Sequence, residues 1–128
     1  MEEVLGRARA LIGVRFRLHG RDPATGLDCV GLVALAIARP DVGPRGYALR
    51  MDDPMRAAGW AAAADLMAGT GAAGEIVLLR PAAGQLHLGI ANGSGGIVHA
   101  DAGLGRVVER PGPLPWPVLA RWRIKGEG

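Results

Sequence analysis

Two periods of apolar residues divide this chain. In residues 3–12, Val4, Leu5, Ala8, Leu11 and Ile12 fall on one face of a 3.6-residue repeat, so an amphipathic helix opens the sequence. The stretch "GRDPATG" (20–26) concentrates Gly, Asp and Pro and marks a turn. From Asp28 the helical period returns, with Cys29, Leu32, Val33, Ala36 and Ile37 on one stripe that Pro40 is set to stop. The pattern then predicts a loop over 40–54 and an alanine-rich third helix over 54–68. Beyond residue 74 the apolar runs shorten. "EIVLLR" (75–80), "LHLGIA" (86–91), "GIVHAD" (96–101), "RVVER" (106–110) and "VLARWRI" (118–124) are strand-length and separated by Gly or Pro. Helices first and antiparallel strands afterwards describe an α+β fold, one domain over residues 1–128.

Composition narrows the picture. Charges interrupt every apolar run, so no segment is long enough to cross a bilayer, and no membrane insertion is expected. The start, "MEEVLGRARALIG", lacks the basic-then-apolar order of a secretory signal, which predicts cytoplasmic synthesis. A single cysteine excludes an internal disulfide and any CxxC zinc site. The net charge is +3, but the arginines are scattered and Lys125 is the lone lysine. With one Tyr and one Phe there is little to stack bases on, so no specific nucleic-acid partner is expected. Two glycine-rich stretches carry no nucleotide chemistry. "GTGAAG" (69–74) matches GxGxxG, but a helix precedes it and a strand follows, the reverse of the dinucleotide fingerprint, which leaves a flexible connector. "NGSGG" (92–96) lacks the lysine of a phosphate loop and reads as a hairpin turn.

The candidate chemistry centres on Cys29. A helix start presents unpaired N–H groups and the positive end of the dipole, which favour a thiolate in the first turn. Asp28 can cap that helix by accepting an N–H two or three residues on. The same N–H groups, including that of Cys29, can hold an oxyanion. A lone cysteine on an apolar stripe is nevertheless more often core than nucleophile, so a base is required. Alternation in 86–91 puts His87, Gly89 and Ala91 on one strand face, where small neighbours leave room for a helix. With a five-residue loop, Ala91 pairs Ile97 and Gly89 pairs His99. His99 then becomes the diagonal neighbour of His87, about 7–8 Å away between backbones. His99 can then accept from the His87 ring and fix its tautomer, completing a nucleophile–base–orienter set. Two rival readings stay open, a half-buried structural histidine pair and a zinc site of Cys29, His87 and His99, whose scattered spacing resembles no compact structural pattern. His19 reads as a loop residue without a catalytic role.

These residues resemble the NlpC-type cell-wall peptidases, a papain-like family of cysteine endopeptidases. "GVRFRLHGRDPATGLDCVGLV" (13–33) is similar to the family's segment ending in Asp-Cys-Ser-Gly-Leu-Val, and "GEIVLLR" (74–80) to its Gly-Asp-apolar strand. "HLGIANGSGGIVHA" (87–100) resembles its His-Val-Gly-Ile strand, turn and returning Ile-His-Ala. The resemblance implies a papain-like domain in which the Cys-bearing helix packs on an antiparallel β-sheet. It implies Cys29 as nucleophile, His87 as general base and His99 as orienting residue. It implies hydrolysis of an amide in peptidoglycan stem peptides, often beside D-glutamate or diaminopimelate, through a thioester and with no metal or cofactor. Two supporting positions depart from the pattern. Phe16 stands where the family usually has tyrosine, and Val30 where serine usually follows the cysteine. Free-standing members of this kind resemble peptidases of phage tails and gene transfer agents, which implies tail-like proteins as partners and delivery to the wall in a particle. The alternatives are a weakly active or inactive tail-assembly protein on the same fold, or an amidase or acyltransferase on the same scaffold.

Overall fold

The computed structural model describes residues 2–39, 61–62 and 65–124. Two helices, α1 (Glu2–Ala10) and α2 (Cys29–Ala36), pack on a six-stranded antiparallel sheet. Its strands are β3 (Leu66–Ala68), β4 (Ile76–Ala82), β5 (Gln85–Ala91), β6 (Ile97–Asp101), β7 (Arg106–Arg110) and β8 (Val118–Ile124). Their order is β3-β8-β4-β5-β6-β7, so the last strand lies inside the sheet, paired with both β3 and β4. A two-residue hairpin, β1 (Arg21–Asp22) with β2 (Gly26–Leu27), occupies the predicted turn.

The core lies between the helices and one sheet face. Val4, Leu5 and Ala8 of α1 meet Leu78, Leu88, Ile90 and Val98 of the sheet, with α2 between. Ile12, expected on the same helical face, lies past the end of α1 and is 45% exposed. The one-stripe reading of α2 is also corrected. Val30, Gly31, Leu32, Val33, Ala34 and Ala36 are all buried, because a short uncharged helix at the centre of the fold is covered on every side. It stops before Pro40: Ala38 turns to φ +59 and the Arg39 N–H returns to the Ala34 carbonyl at 2.8 Å. Pro40 and the predicted 40–54 loop lie outside the described residues, as does most of the predicted 54–68 helix. Ala61 and Ala62 are helical, but Leu66–Ala68 form β3, where pairing with β8 overrides alanine-rich helix propensity.

On the opposite sheet face Val77, Leu79, Ala91 and Ile97 form a second, smaller cluster with Leu114 and Trp116. The space beside Gly89 is taken by Ile97, whose Cδ1 lies 2.9 Å from where a Cβ would stand, and not by a helix. β5 and β6 pair at Ile90–Val98 and at Ala91–Ile97, the latter as expected, across a turn in which Asn92 Oδ1 accepts the N–H groups of Ser94 and Gly96. The expected Gly89–His99 pair is not in the ladder. Below Ile90 the two strands diverge, and this split positions the site.

"GTGAAG" is not a loose connector. The buried Glu75 carboxylate accepts the N–H of Thr70 at 2.6 Å and of Gly71 at 2.9 Å, and meets Arg121 Nε at 3.0 Å. Burial alone would raise the Glu75 pKa. The Thr70 N–H, the Arg121 guanidinium and the N–H groups of Gly71 and Ala72 outweigh it and hold the pKa at about 2.

Candidate active site

The helix start is built around Asp28. Its side chain, on a residue 2% exposed, accepts the Gly31 N–H at 2.9 Å through Oδ1 and the His19 N–H at 2.8 Å through Oδ2. One carboxylate therefore caps α2 and ties the preceding loop to it. That loop comes very close: a Cβ on Gly31 would fall 2.0 Å from the Gly20 carbonyl oxygen, so this helix turn must be glycine. Phe16 is held by a bridge to Leu27 and by its N–H on the Gly105 carbonyl at 2.8 Å, which places Phe16 and Leu18 on the rim of a cavity. His19 is exposed.

Cys29, the first residue of α2, is partly buried on the wall of that cavity. Backbone N–H groups of Leu88, Val30 and Cys29 favour its thiolate, as expected of a helix start. They do not prevail. Burial and the adjacent Asp28 carboxylate push the thiol up to about 12, so the expectation of a depressed pKa is corrected. The Leu88 amide reaches the sulfur because β5 at that residue is released from β6.

His87 and His99 face each other across the split, with His87 Nε2 2.8 Å from His99 Nδ1 and the rings edge to face. Burial, and then the nearby His99, lower His87 to about 4 against a weaker opposing pull from Asp101. His99 is 2% exposed and likewise lowered by burial, with Asp101 raising it and Arg110 lowering it. Both rings are therefore neutral near pH 7. Trp116 packs edgewise on both imidazoles, at 6.1 Å from His87 and 5.9 Å from His99, and the Arg110 guanidinium lies 5.1 Å over its ring.

Cys29, His87 and His99 thus line one cavity of about 200 Å³, which Phe16, Asp28 and Val30 also line. Of these, Asp28 has both carboxylate oxygens engaged in capping and tying, and Val30 presents an apolar wall. Among the described residues no group of three or more His, Cys, Asp or Glu is arranged to hold a metal ion. Two lining residues went unread in the sequence. Asp101 shares the His99 face at two-residue spacing, a legible signal. Trp116 lies in "PGPLPWP", a segment with no periodicity, and the fold alone brings it to the histidines. The arrangement can hold a thiol, a neutral imidazole base and several backbone N–H donors around one small acyl group.

Solved NlpC/p60 domains share this fold. NlpC1 from Trichomonas vaginalis superposes with a TM-score of 0.62 at 19% identity, over 96% of this chain and 43% of that one. The NlpC/p60 domain of the peptidoglycan hydrolase SagA gives 0.57 at 24% identity, over 86% and 87%. The peptidoglycan hydrolase RipB from Mycobacterium tuberculosis gives 0.59 at 24% identity, over 94% and 62%. This chain spans less than half of NlpC1 and under two thirds of RipB. No family model matches the sequence, and no curated protein matches it. The chain has the α+β fold of NlpC/p60 domains.

Proposed function

We propose that this protein is a cysteine peptidase that hydrolyses amide bonds in peptidoglycan stem peptides. The observation that carries the reading is the convergence of Cys29, His87 and His99 on one cavity at a helix start. It occurs in a fold whose solved examples include the peptidoglycan hydrolases SagA and RipB. With the thiol raised to about 12 and His87 lowered to about 4, the resting pair is uncharged, so the two groups charge together during attack. The thiol proton passes to His87 as sulfur bonds to the amide carbon, and the carbonyl electron pair moves to oxygen. N–H groups at the start of α2 stabilise that oxyanion. Its collapse breaks the C–N bond, His87 returns the proton to the departing amine, and a thioester remains. Water attacks the thioester as His87 accepts its proton. Release of the carboxylic acid restores the thiol.

The apolar Phe16 and Val30 leave orientation of the substrate to backbone groups and to the cavity walls. The reading includes delivery by a phage-tail-like particle, which follows from the family resemblance alone; co-purification with tail proteins tests it. The activity is tested by incubating the protein with purified peptidoglycan and analysing soluble fragments by mass spectrometry. New amine and carboxyl termini that vanish with Cys29→Ala are expected. No cleavage on any stem-peptide chemotype refutes the peptidase and favours the assembly role, and acyl–amine or ester products favour a transferase.

A further inference from the structure

We infer that Asp101 is a positioning residue, a fourth group that selects the tautomer of His99 and through it the tautomer of His87. The inference concerns the imidazoles themselves and holds whatever acyl substrate the cavity takes. The start is the buried ring of His99. Its Nδ1 is engaged with His87 Nε2 at 2.8 Å, and its other nitrogen, Nε2, faces Asp101 Oδ2 at 4.0 Å. That spacing suits a direct bond after a small closure, or a single bridging water.

The carboxylate is held in place from its other side. Asp101 Oδ1 accepts the Leu104 N–H at 3.0 Å, and the Gly105 N–H closes the same turn on the Asp101 carbonyl at 2.8 Å. Gly103 lets the turn wrap this closely, since a Cβ there would stand 3.2 Å from Oδ1. Oδ2 is thereby left aimed at His99. A carboxylate only accepts, so it selects the His99 form with hydrogen on Nε2. The Nδ1 of that neutral ring then only accepts, so His87 must donate from Nε2. The hydrogen-free atom of His87 is consequently Nδ1, the one position from which a neutral ring can take a proton. Each step follows from donor and acceptor counting on distances already given. The groups facing His99 are His87 from β5, Asp101 from its own strand, Arg110 from β7 and Trp116 from the segment before β8. Arg110 is the opposing charge: it disfavours a second proton on His99 and so keeps the ring neutral and able to accept.

The test is a long-range proton–nitrogen correlation spectrum of the full chain labelled with ¹⁵N-histidine at pH 7, for the wild type and Asp101→Asn. Asparagine retains an oxygen for the Leu104 N–H but can turn an NH₂ toward His99, favouring the opposite tautomer. Both rings are expected as Nε2–H tautomers in the wild type, with His99 shifting toward Nδ1–H in the variant. Alkylation of Cys29 by iodoacetamide is expected to slow alongside, and kcat on wall peptides to fall about tenfold to hundredfold at unchanged KM. A wild-type Nδ1–H form on either ring, or ring spectra untouched by Asp101→Asn, overturns the assignment. The spectra decide it even where no peptide is cleaved, so failure of the peptidase reading and failure of this inference are separate results.

Discussion

Removing the Asp28 carboxylate gives the sharpest test of how the site is held. Asp28→Ala strands two N–H groups, those of Gly31 and His19, now bonded at 2.9 and 2.8 Å to a side chain that is 2% exposed. Loss of a helix cap costs about 1–2 kcal/mol. A buried N–H left without an acceptor costs about 1–3 kcal/mol, and the His19 bond is additional to the cap. The sum is about 3 kcal/mol, or about 10 °C in Tm for a domain of this size. Asp28→Asn separates the two functions. Its single oxygen can keep the Gly31 cap, while its NH₂ cannot accept from His19, so about half the loss is expected. The same variant removes the negative charge that helps raise the Cys29 pKa, so alkylation at pH 8 is expected to be faster than in the wild type. Urea titration followed by circular dichroism reads the first effect, and iodoacetamide kinetics read the second. An Asp28→Ala loss below about 1 kcal/mol would refute the claim that this carboxylate organises the helix start. Slower alkylation in Asp28→Asn would refute the assigned origin of the raised thiol.

Two further outcomes follow from the titrating groups. Glu75 is held at about 2 against an ordinary 4.5, so its contribution to stability is present above pH 4.5 and is lost as pH falls through about 2. Glu75→Gln should therefore lower stability at pH 7 and flatten the acid limb between those values in a pH series of urea melts; an unchanged acid limb refutes the clamp. His87 is lowered to about 4, so the base stays unprotonated down to that pH, and the acid limb of kcat/KM should centre near pH 4. A limb at the ordinary imidazole value of 6.5 would show that burial does not set the base.

Local pattern carried most of the second half of the chain. The runs 106–110 and 118–124 match β7 and β8, and the "NGSGG" turn follows from Asn and Gly chemistry. Asp28 as cap was equally local, since a cap acts three residues away. What was not legible is whatever depends on distant partners. β3 sits at the end of an alanine-rich run and exists because β8 pairs with it from far along the chain, Leu66 against Ile124 and Ala68 against Trp122. Trp116 reaches the histidines only because β8 enters the middle of the sheet. The raised Cys29 thiol reflects burial by side chains from both halves, which no helix-terminus rule contains.

The expectation that the histidine face would receive the helix was wrong in a way that explains the site. α2 packs on the Leu88–Ile90 side of the sheet, while His87, Ile97 and His99 belong with the face that Trp116 covers. In a continuous sheet a sulfur on one face and an imidazole on the other would be separated by the backbone. The β5–β6 ladder ends at Ile90–Val98, although β5 starts at Gln85 and β6 runs to Asp101. Opening the strands there gives up ladder hydrogen bonds of about 1 kcal/mol each. In exchange the freed Leu88 N–H meets Cys29, and the two rings meet each other across the gap. Asp101 and its turn hold the far side of the opening at Leu104 and Gly105, and Phe16 joins the same turn through Gly105. The split in the sheet thus brings groups from both faces to one cavity.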